Sequence, residues 1–291
     1  MTGQLTWLVT GCSSGFGEAF VHGILAKGDR VIATARPRNN ESAVDRLAPL
    51  KTAGAAVMEI DVTAPAEVLK EKAKEAWSIY GQVDVLVNNA AYIDGGIFEE
   101  MDEEFLLRVL RNNTLGPLNL TRAFLPYMRA RGTGTLIFLS SIAAYMGVPC
   151  ATSYSSSKAL LEGVVANMAT EIEPFGLRTS LLIPGYFRTS VFTPGNIHLD
   201  GTPNSLPEYA EVKKSIREFC GGIDGTQPGD PRKAVDLVIE AVRGEGRCVG
   251  KQLPFWLPLG EDGFQTVEEH CRKKLEICEE WKELGTATNI E

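Results

Sequence analysis

Histidine is scarce in this chain, closely paired cysteine is missing, and no apolar run is long. Three histidines, His22, His198 and His270, stand far apart in 291 residues. The six cysteines, Cys12, Cys150, Cys220, Cys248, Cys271 and Cys278, never fall in a Cys-x-x-Cys pair. Neither a zinc site nor a disulfide framework is therefore indicated, and no metal site is expected. No stretch reaches the ~20 apolar residues that a membrane-spanning helix needs, so no membrane span is expected. The chain enters its first strand without the basic and apolar segments of a secretory leader, and a reduced, cytoplasmic setting is the expectation. Positive charge is also in deficit. With 29 Lys and Arg against 37 Asp and Glu, the net charge is −8, which argues against nucleic acid and anionic membrane as main partners.

What is present is a hydrophobic share of 44% and a charged share of 23%, enough apolar material for an ordinary globular core. Leu5 to Thr10 reads as a buried strand. Gly11-Cys12-Ser13-Ser14-Gly15-Phe16-Gly17 follows, then a helix to about Lys27, then a strand from Val31 to Ala35. Strand, glycine-rich turn, helix and strand make a dinucleotide-binding unit. Gly11 makes the tight turn, Gly15 admits a pyrophosphate to the backbone, and Gly17 lets the helix sit close to the sheet. The helix N-terminus then turns free N–H groups and partial positive charge toward the phosphates.

The end of the second strand reports on the cofactor. A carboxylate there accepts from a ribose 2′-hydroxyl in NAD sites. This chain has Ala35, Arg36 and, two residues on, Arg38, with no carboxylate before Glu41. A guanidinium suits a 2′-phosphate, so NADP is the expected cofactor; Arg36 is otherwise a solvated loop residue.

Alternation continues. A helix is predicted over about 41–52, a strand over 55–60, a helix over 66–80 and a strand over 83–87. Asp61, ending the third strand, can accept from an adenine amino group or cap the next helix. Asn88-Asn89-Ala90-Ala91 ends the fourth strand. Its small residues let a ring lie flat, and its asparagines can brace a neighbouring strand. A long helix over about 102–130 is interrupted at Asn112 to Pro117. Polar Asn113 sits among apolar neighbours there, where a backbone kink and an ordered water can satisfy it. It then belongs either to a proton relay or to ordinary packing.

The stretch from Thr135 to Pro174 carries the chemistry. Thr135 to Leu139 is a strand ending at Ser140-Ser141, and Ser155 to Pro174 has helical spacing. Tyr154 and Lys158, four apart, share one helix face. An ammonium beside a phenol favours the phenolate and lowers its pKa, which would make Tyr154 a usable acid and base. Ser141 can offer a hydroxyl to the same substrate oxygen. Further on, Arg178 to Ile183 is a strand ending in Pro184-Gly185. Residues 186–227 are loop-rich with Gly195, Gly201 and Gly221-Gly222, carry Phe192, Ile197, Leu199, Ile216 and Phe219, and read as a lid over an apolar pocket. A helix from Asp230-Pro231 to Arg243, a short last strand at Arg247 to Val249 and a charged C-terminal helix over about 261–284 complete the chain. The fold class is α/β: a doubly wound (Rossmann) parallel sheet of about seven strands with helices on both faces, in one domain.

Taken together, Thr10-Gly11-x-x-x-Gly15-x-Gly17, Asn88-Asn89-Ala90, Asn113, Ser141, Tyr154-x-x-x-Lys158 and Pro184-Gly185 with Thr189 resemble the short-chain dehydrogenase/reductase superfamily over about residues 5–250. The loop and the Ala-Arg strand end resemble its NADP-using branch of 17β-hydroxysteroid and retinol dehydrogenases. Two departures are Ala91 in place of glycine and the bulky Tyr186-Phe187 after Pro-Gly. The resemblance implies that Ser141 holds the substrate oxygen, Tyr154 gives or takes its proton, Lys158 tunes the tyrosine and binds the nicotinamide ribose, and Asn113 holds a relay water. It implies cofactor contacts from Gly11, Ser13, Ser14, Gly15, Phe16, Gly17, Arg36, Asp61, Val62, Asn89, Ala90, Tyr154, Lys158, Pro184, Gly185, Phe187 and Thr189. The expected reaction passes a hydride between NADP(H) and a ketone or secondary alcohol of a hydrophobic small molecule of steroid, retinoid, polyketide or terpenoid type. The alternative is isomerisation, dehydration or cyclisation on the same scaffold. A homodimer or homotetramer is the expected assembly.

Overall fold

The computed structural model describes residues 3–38, 41–193, 195–199 and 202–290; Gly201 of the expected lid lies outside them. Strand β1 (Thr6–Val9) leads through the glycine turn into helix α1 (Gly15–Ala26) and strand β2 (Arg30–Ala35). Short helices α2 (Ala43–Arg46) and α3 (Ala48–Thr52), strand β3 (Ala56–Glu59), helix α4 (Ala66–Tyr80) and strand β4 (Val85–Asn88) follow. After the two-residue strand β5 (Ile93–Asp94) come helices α5 (Glu103–Leu110) and α6 (Gly116–Arg131), strand β6 (Gly134–Leu139), helix α7 (Thr152–Ile172) and strand β7 (Leu177–Pro184). Strand β8 (Ile197–His198), helices α8 (Ala210–Ile223) and α9 (Pro231–Arg243), strand β9 (Trp256–Leu259) and helix α10 (Glu261–Thr286) end the chain.

The main sheet has seven strands, all parallel, in the order β3-β2-β1-β4-β6-β7-β9. The order in which strands are added reverses between β1 and β4, so the crevice beyond their C-terminal ends is the place for a ligand. Both faces are covered, and the strands accordingly read as apolar on both sides. Trp7, Val9, Val31 and Ala33 pack with α1 and α9 on one side; Leu8, Ile32, Leu86 and Phe138 pack with α4, α6 and α7 on the other. Trp7 is fully buried, and its indole N–H donates to Asp29 at 3.0 Å. Arg243 of α9 grips both oxygens of the same carboxylate at 2.8 and 2.9 Å, which ties the two ends of that layer together.

Three expectations change and one feature is added. The helix expected over 41–52 is two short helices, because Pro49 has no N–H to continue the ladder and opens the second. The last strand is not Arg247 to Val249. That segment is a single 3₁₀ turn, Gly246–Cys248, and the seventh strand lies at Trp256–Leu259. It occupies the sheet edge, where Pro258 is tolerated because no further strand needs its missing donor. The lid is not mostly loop: it holds the 14-residue α8. Finally, β5 and β8 form a small second sheet that stitches the lid to the segment after β4. The interruption read at residues 112–117 is real and has a defined form, a π-helical turn over Arg111–Leu115 between α5 and α6.

Candidate active site

The glycine turn, the ends of β2, β3, β4, β6 and β7, the start of α7 and the lid surround one cavity of about 440 Å³. That is within the range of ligand sites generally. At one end lies the glycine turn. Gly11 and Gly15 have φ of +71° and +61°, conformations that favour glycine. A side chain on Gly17 would run into the carbonyl oxygen of Gly11, so only glycine lets α1 start this close to β1. Asn89 secures the turn from the neighbouring strand: its amide donates to the carbonyls of Thr10 at 2.7 Å and Gly11 at 3.1 Å. Ser14 caps α1 in an extended conformation without a side-chain bond to its first turn, which leaves those N–H groups for a ligand.

Beside this turn stand three arginines. Arg36 and Arg38 line the cavity with Ser13 and Ser14, as does Arg46, which sequence reasoning missed. Arg46 reaches back from α2 to donate to the Arg36 carbonyl at 2.8 Å and to the Ser13 hydroxyl at 2.9 Å. Asp61 and Val62 line the adjoining wall. Asp61 accepts from the backbone N–H of Thr63 at 2.9 Å and from its hydroxyl at 2.7 Å; it shapes its own turn, and the cap of α4 is Pro65. Open backbone donors next to a cluster of guanidinium groups fit a dinucleotide with an extra phosphate on its adenosine ribose.

The other end holds Ser141, Tyr154 and Lys158 together on the cavity wall. Burial raises the Tyr154 pKa above the usual phenol value, and a hydrogen bond from Ser141 works the other way. The lowering expected from Lys158 is thus not what the structure gives: desolvation dominates. The ammonium stands 5.7 Å from the phenol ring centroid and donates to the Leu139 carbonyl at 2.7 Å. Lys158 is itself buried, and its pKa is pushed down to about 8.

Behind this pair stands Glu162, a further turn along α7 and also missed by sequence reasoning. Its carboxylate accepts from the hydroxyls of Ser140 and, at 2.5 Å, Tyr145. Burial lifts the Glu162 pKa, and those two donors oppose the shift. The negative charge favours the cationic form of Lys158 against desolvation. The signal was available in the spacing, since 154, 158 and 162 follow one helix face. Glu162→Gln is expected to lower the Lys158 pKa further, because a neutral amide no longer offsets burial. The alkaline limb of the pH–rate profile should then move to lower pH; an unmoved limb would disconnect the two groups.

Of the site residues expected from sequence, Gly17 and Asn113 do not line the cavity; all the others do. Gly17 sits under Gly11. Asn113 is buried in the π-helical turn. Its amide donates to the Tyr92 carbonyl at 2.9 Å and to Ser157 at 3.2 Å, and its oxygen accepts from the Tyr92 N–H at 3.1 Å. Pro184, Gly185, Phe187 and Thr189 close the cavity from β7. Gly185 has no room for a side chain because Asp262 of α10 packs against it, accepting from the Tyr186 N–H at 2.6 Å.

The lid supplies the apolar remainder. Phe192, Ile197, Leu199, Ile216 and Phe219 face Ile93, Met146 and Val148 across the cavity. Its helix α8 is fixed by Lys213, whose ammonium meets the fully buried Glu100 at 2.8 Å, while Glu100 also accepts from the Leu206 N–H at 2.7 Å. Lys213 is the main cause holding the Glu100 carboxyl below its usual range. Among the described residues, no helix is long and apolar enough to cross a membrane.

Fold and site together define a dinucleotide-dependent oxidoreductase of the doubly wound class. The family described as short chain dehydrogenase matches residues 6–198, and the chain belongs to the short-chain dehydrogenase/reductase family. It is 32% identical over 236 residues to YusZ of Bacillus subtilis, an uncharacterized oxidoreductase, covering 80% of this chain and 82% of that one. It is 35% identical over 220 residues to a 3-ketodihydrosphingosine reductase of Bacteroides thetaiotaomicron, covering 73% and 77%. A short-chain dehydrogenase from Streptomyces avermitilis superposes with a TM-score of 0.84 at 34% identity, over 99% of this chain and 100% of that one.

Proposed function

We propose that the protein is an NADP(H)-dependent carbonyl reductase or alcohol dehydrogenase acting on a neutral, hydrophobic small molecule in the cytosol. One observation carries the reading: a proton-bearing cluster, Ser141, Tyr154 and Lys158, shares a single cavity with the arginine cluster Arg36, Arg38 and Arg46. When bound, the nicotinamide supplies or accepts the hydride at its C4. Ser141 holds the substrate oxygen, and Tyr154 donates its proton to that oxygen during reduction. Its raised pKa keeps the phenol protonated at neutral pH, the state that reduction needs. Lys158 binds the ribose hydroxyls of the cofactor and offers a positive charge to the phenolate left behind. Asn113 ties the π-helical turn to the Tyr92 backbone and to Ser157 of α7 and so positions the helix that carries Tyr154 and Lys158. Its own hydrogen-bonding capacity is taken up by protein partners and not by a relay water. Phe16, Thr189 and Phe187 enclose the nicotinamide side, with the Phe16 and Phe187 rings 5.1 Å apart.

The substrate class follows from the lining. All the cations on the wall, Arg36, Arg38, Arg46 and Lys158, belong to the cofactor's share, and the lid side of the pocket is mainly apolar, with Ser190 and Asn196 as uncharged polar groups. A carboxylate or phosphate would find no cation there, whereas an apolar ketone would find a matching surface. A relative named 3-ketodihydrosphingosine reductase supports a ketone as the substrate group. The test is the loss of NADPH absorbance with a panel of cyclic and long-chain ketones. Stoichiometric oxidation is the expected result. Product formed without NADPH consumption would favour isomerisation or dehydration, and binding without chemistry would overturn the enzymatic reading.

A further inference from the structure

Tyr92 follows the small residues that end β4 and lines the cavity with Arg36. The Arg36 guanidinium stands 6.0 Å from the Tyr92 ring centroid. Among the described residues, none accepts a hydrogen bond or an ion pair from that guanidinium. The backbone of Arg36 is fixed separately, because Arg46 donates to its carbonyl at 2.8 Å. The Tyr92 ring therefore steers the side chain alone. A long side chain with nothing to rest on must give up its rotamer freedom when a ligand fixes it, so a support already in place favours binding.

Tyr92 is itself held at both ends. Asn113 grips its backbone from the π-helical turn: the amide oxygen accepts from the Tyr92 N–H at 3.1 Å, and the amide donates to the Tyr92 carbonyl at 2.9 Å. The same amide donates to Ser157 of α7 at 3.2 Å, which joins Tyr92 to the helix bearing Tyr154 and Lys158. At the far end of the ring, Arg108 of α5 donates to the hydroxyl and is braced in turn by Asp94 of β5 at 3.0 Å. Burial first, and then the Asp94 charge, raise the Tyr92 pKa, so the phenol is neutral at neutral pH. Its contact with Arg36 is a cation over an uncharged π face, not an ion pair. The guanidinium keeps its full charge and its N–H groups for an anion.

We propose that Tyr92 is a positioning residue for the cofactor's 2′-phosphate: its ring holds the Arg36 guanidinium ready, so that discrimination of NADP from NAD depends on Tyr92 as well as on Arg36. This rests on the NADP reading above and adds to it a residue that never touches the phosphate.

The test is calorimetric titration of the full chain, without substrate, with NADP, NAD, adenosine 2′,5′-bisphosphate and AMP. Tyr92→Leu should weaken NADP and the bisphosphate by about 3–10-fold, the size of a partly buried cation–π contact, and leave NAD and AMP nearly unchanged. Tyr92→Met also lacks a π face and serves as a second probe, with melting temperatures confirming that each variant is folded. Tyr92→Phe keeps the ring and should bind all four as the wild type does. In an Arg36→Leu background, Tyr92→Leu should have no further effect on the bisphosphate, because Tyr92 acts through Arg36. Equal losses for NAD and NADP would make Tyr92 a plain wall of the pocket and overturn the proposal. So would a loss that persists without Arg36, or a loss of the same size in Tyr92→Phe. A wild type that binds NADP and NAD equally would bring down the NADP reading and this inference together. A wild type whose NADP preference disappears in Arg36→Leu but survives in Tyr92→Leu and Tyr92→Met would overturn this inference alone.

Discussion

Tyr154→Phe is expected to lower turnover of the ketone reaction by about 10²–10⁴-fold, the usual contribution of a positioned general acid. Phenylalanine keeps the ring and its packing but has no proton to give. NADPH affinity should stay within a few-fold, because the cofactor's phosphates and ribose are assigned to other groups. The comparison is therefore between kcat, measured at saturating ketone, and the dissociation constant for NADPH, measured by fluorescence titration. A loss confined to binding would shift Tyr154 from chemistry to scaffolding, and ordinary turnover would remove it from the reaction. The direction of the reaction adds a second check. A phenol whose pKa burial has raised is protonated at neutral pH, ready for reduction. Alcohol oxidation needs the phenolate, so the oxidative rate should climb as pH rises and the reductive rate should not. Lys158, with its pKa pushed down to about 8, loses its own charge at lower pH than the phenol ionises, so the oxidative climb should be shallower above that point.

The features legible in the sequence are those in which spacing along the chain sets position in space. Tyr154 and Lys158 are neighbours because a helix brings residues four apart together. Gly11, Gly15 and Gly17 announce themselves because a strand-to-helix turn over a phosphate tolerates nothing larger. The parallel sheet followed from alternation, and even the kink at Asn113 showed as a polar residue in an apolar run. What stayed hidden depends on distant contacts. Trp256–Leu259 carries Pro258 and follows Pro254, two marks against a strand, and it is admitted because it pairs with β7 at the sheet edge. Helix α8 was masked by Gly221 and Gly222 and by Lys213 on its inner face. That lysine is tolerated there because Glu100, over a hundred residues earlier, waits for it. Arg46 lies in a helix with no motif of its own, and only the fold sets α2 beside Ser13. The phenol's pKa was misjudged for a related reason: proximity to Lys158 was visible in the spacing, but the burial that outweighs it was not.

Arg36→Asp is expected to change cofactor preference more than any other single substitution. Three guanidinium groups converge beside Ser13, but they are not equivalent. Arg46 already spends two donors on the Arg36 carbonyl and the Ser13 hydroxyl, so it chiefly holds the loop in place. The Arg36 guanidinium lies 6.0 Å from the Tyr92 ring centroid, a cation–π approach that leaves its planar edge for a phosphate. A hydrogen bond to a charged group is worth ~1.5–3 kcal/mol, and about 1.4 kcal/mol corresponds to tenfold, so losing one to two such bonds raises the NADP KM by roughly 10–100-fold. The new carboxylate adds repulsion toward the 2′-phosphate. With NAD the same carboxylate faces a ribose 2′-hydroxyl that can donate to it, so the NAD KM should hold steady or fall. The decisive quantity is the ratio of kcat/KM for the two cofactors, measured on one ketone in wild type and variant. A swing of about two orders of magnitude toward NAD is the expected outcome. Equal losses for both would mean that Arg36 supports the loop without reading the phosphate, and the preference for NADP would fall with it.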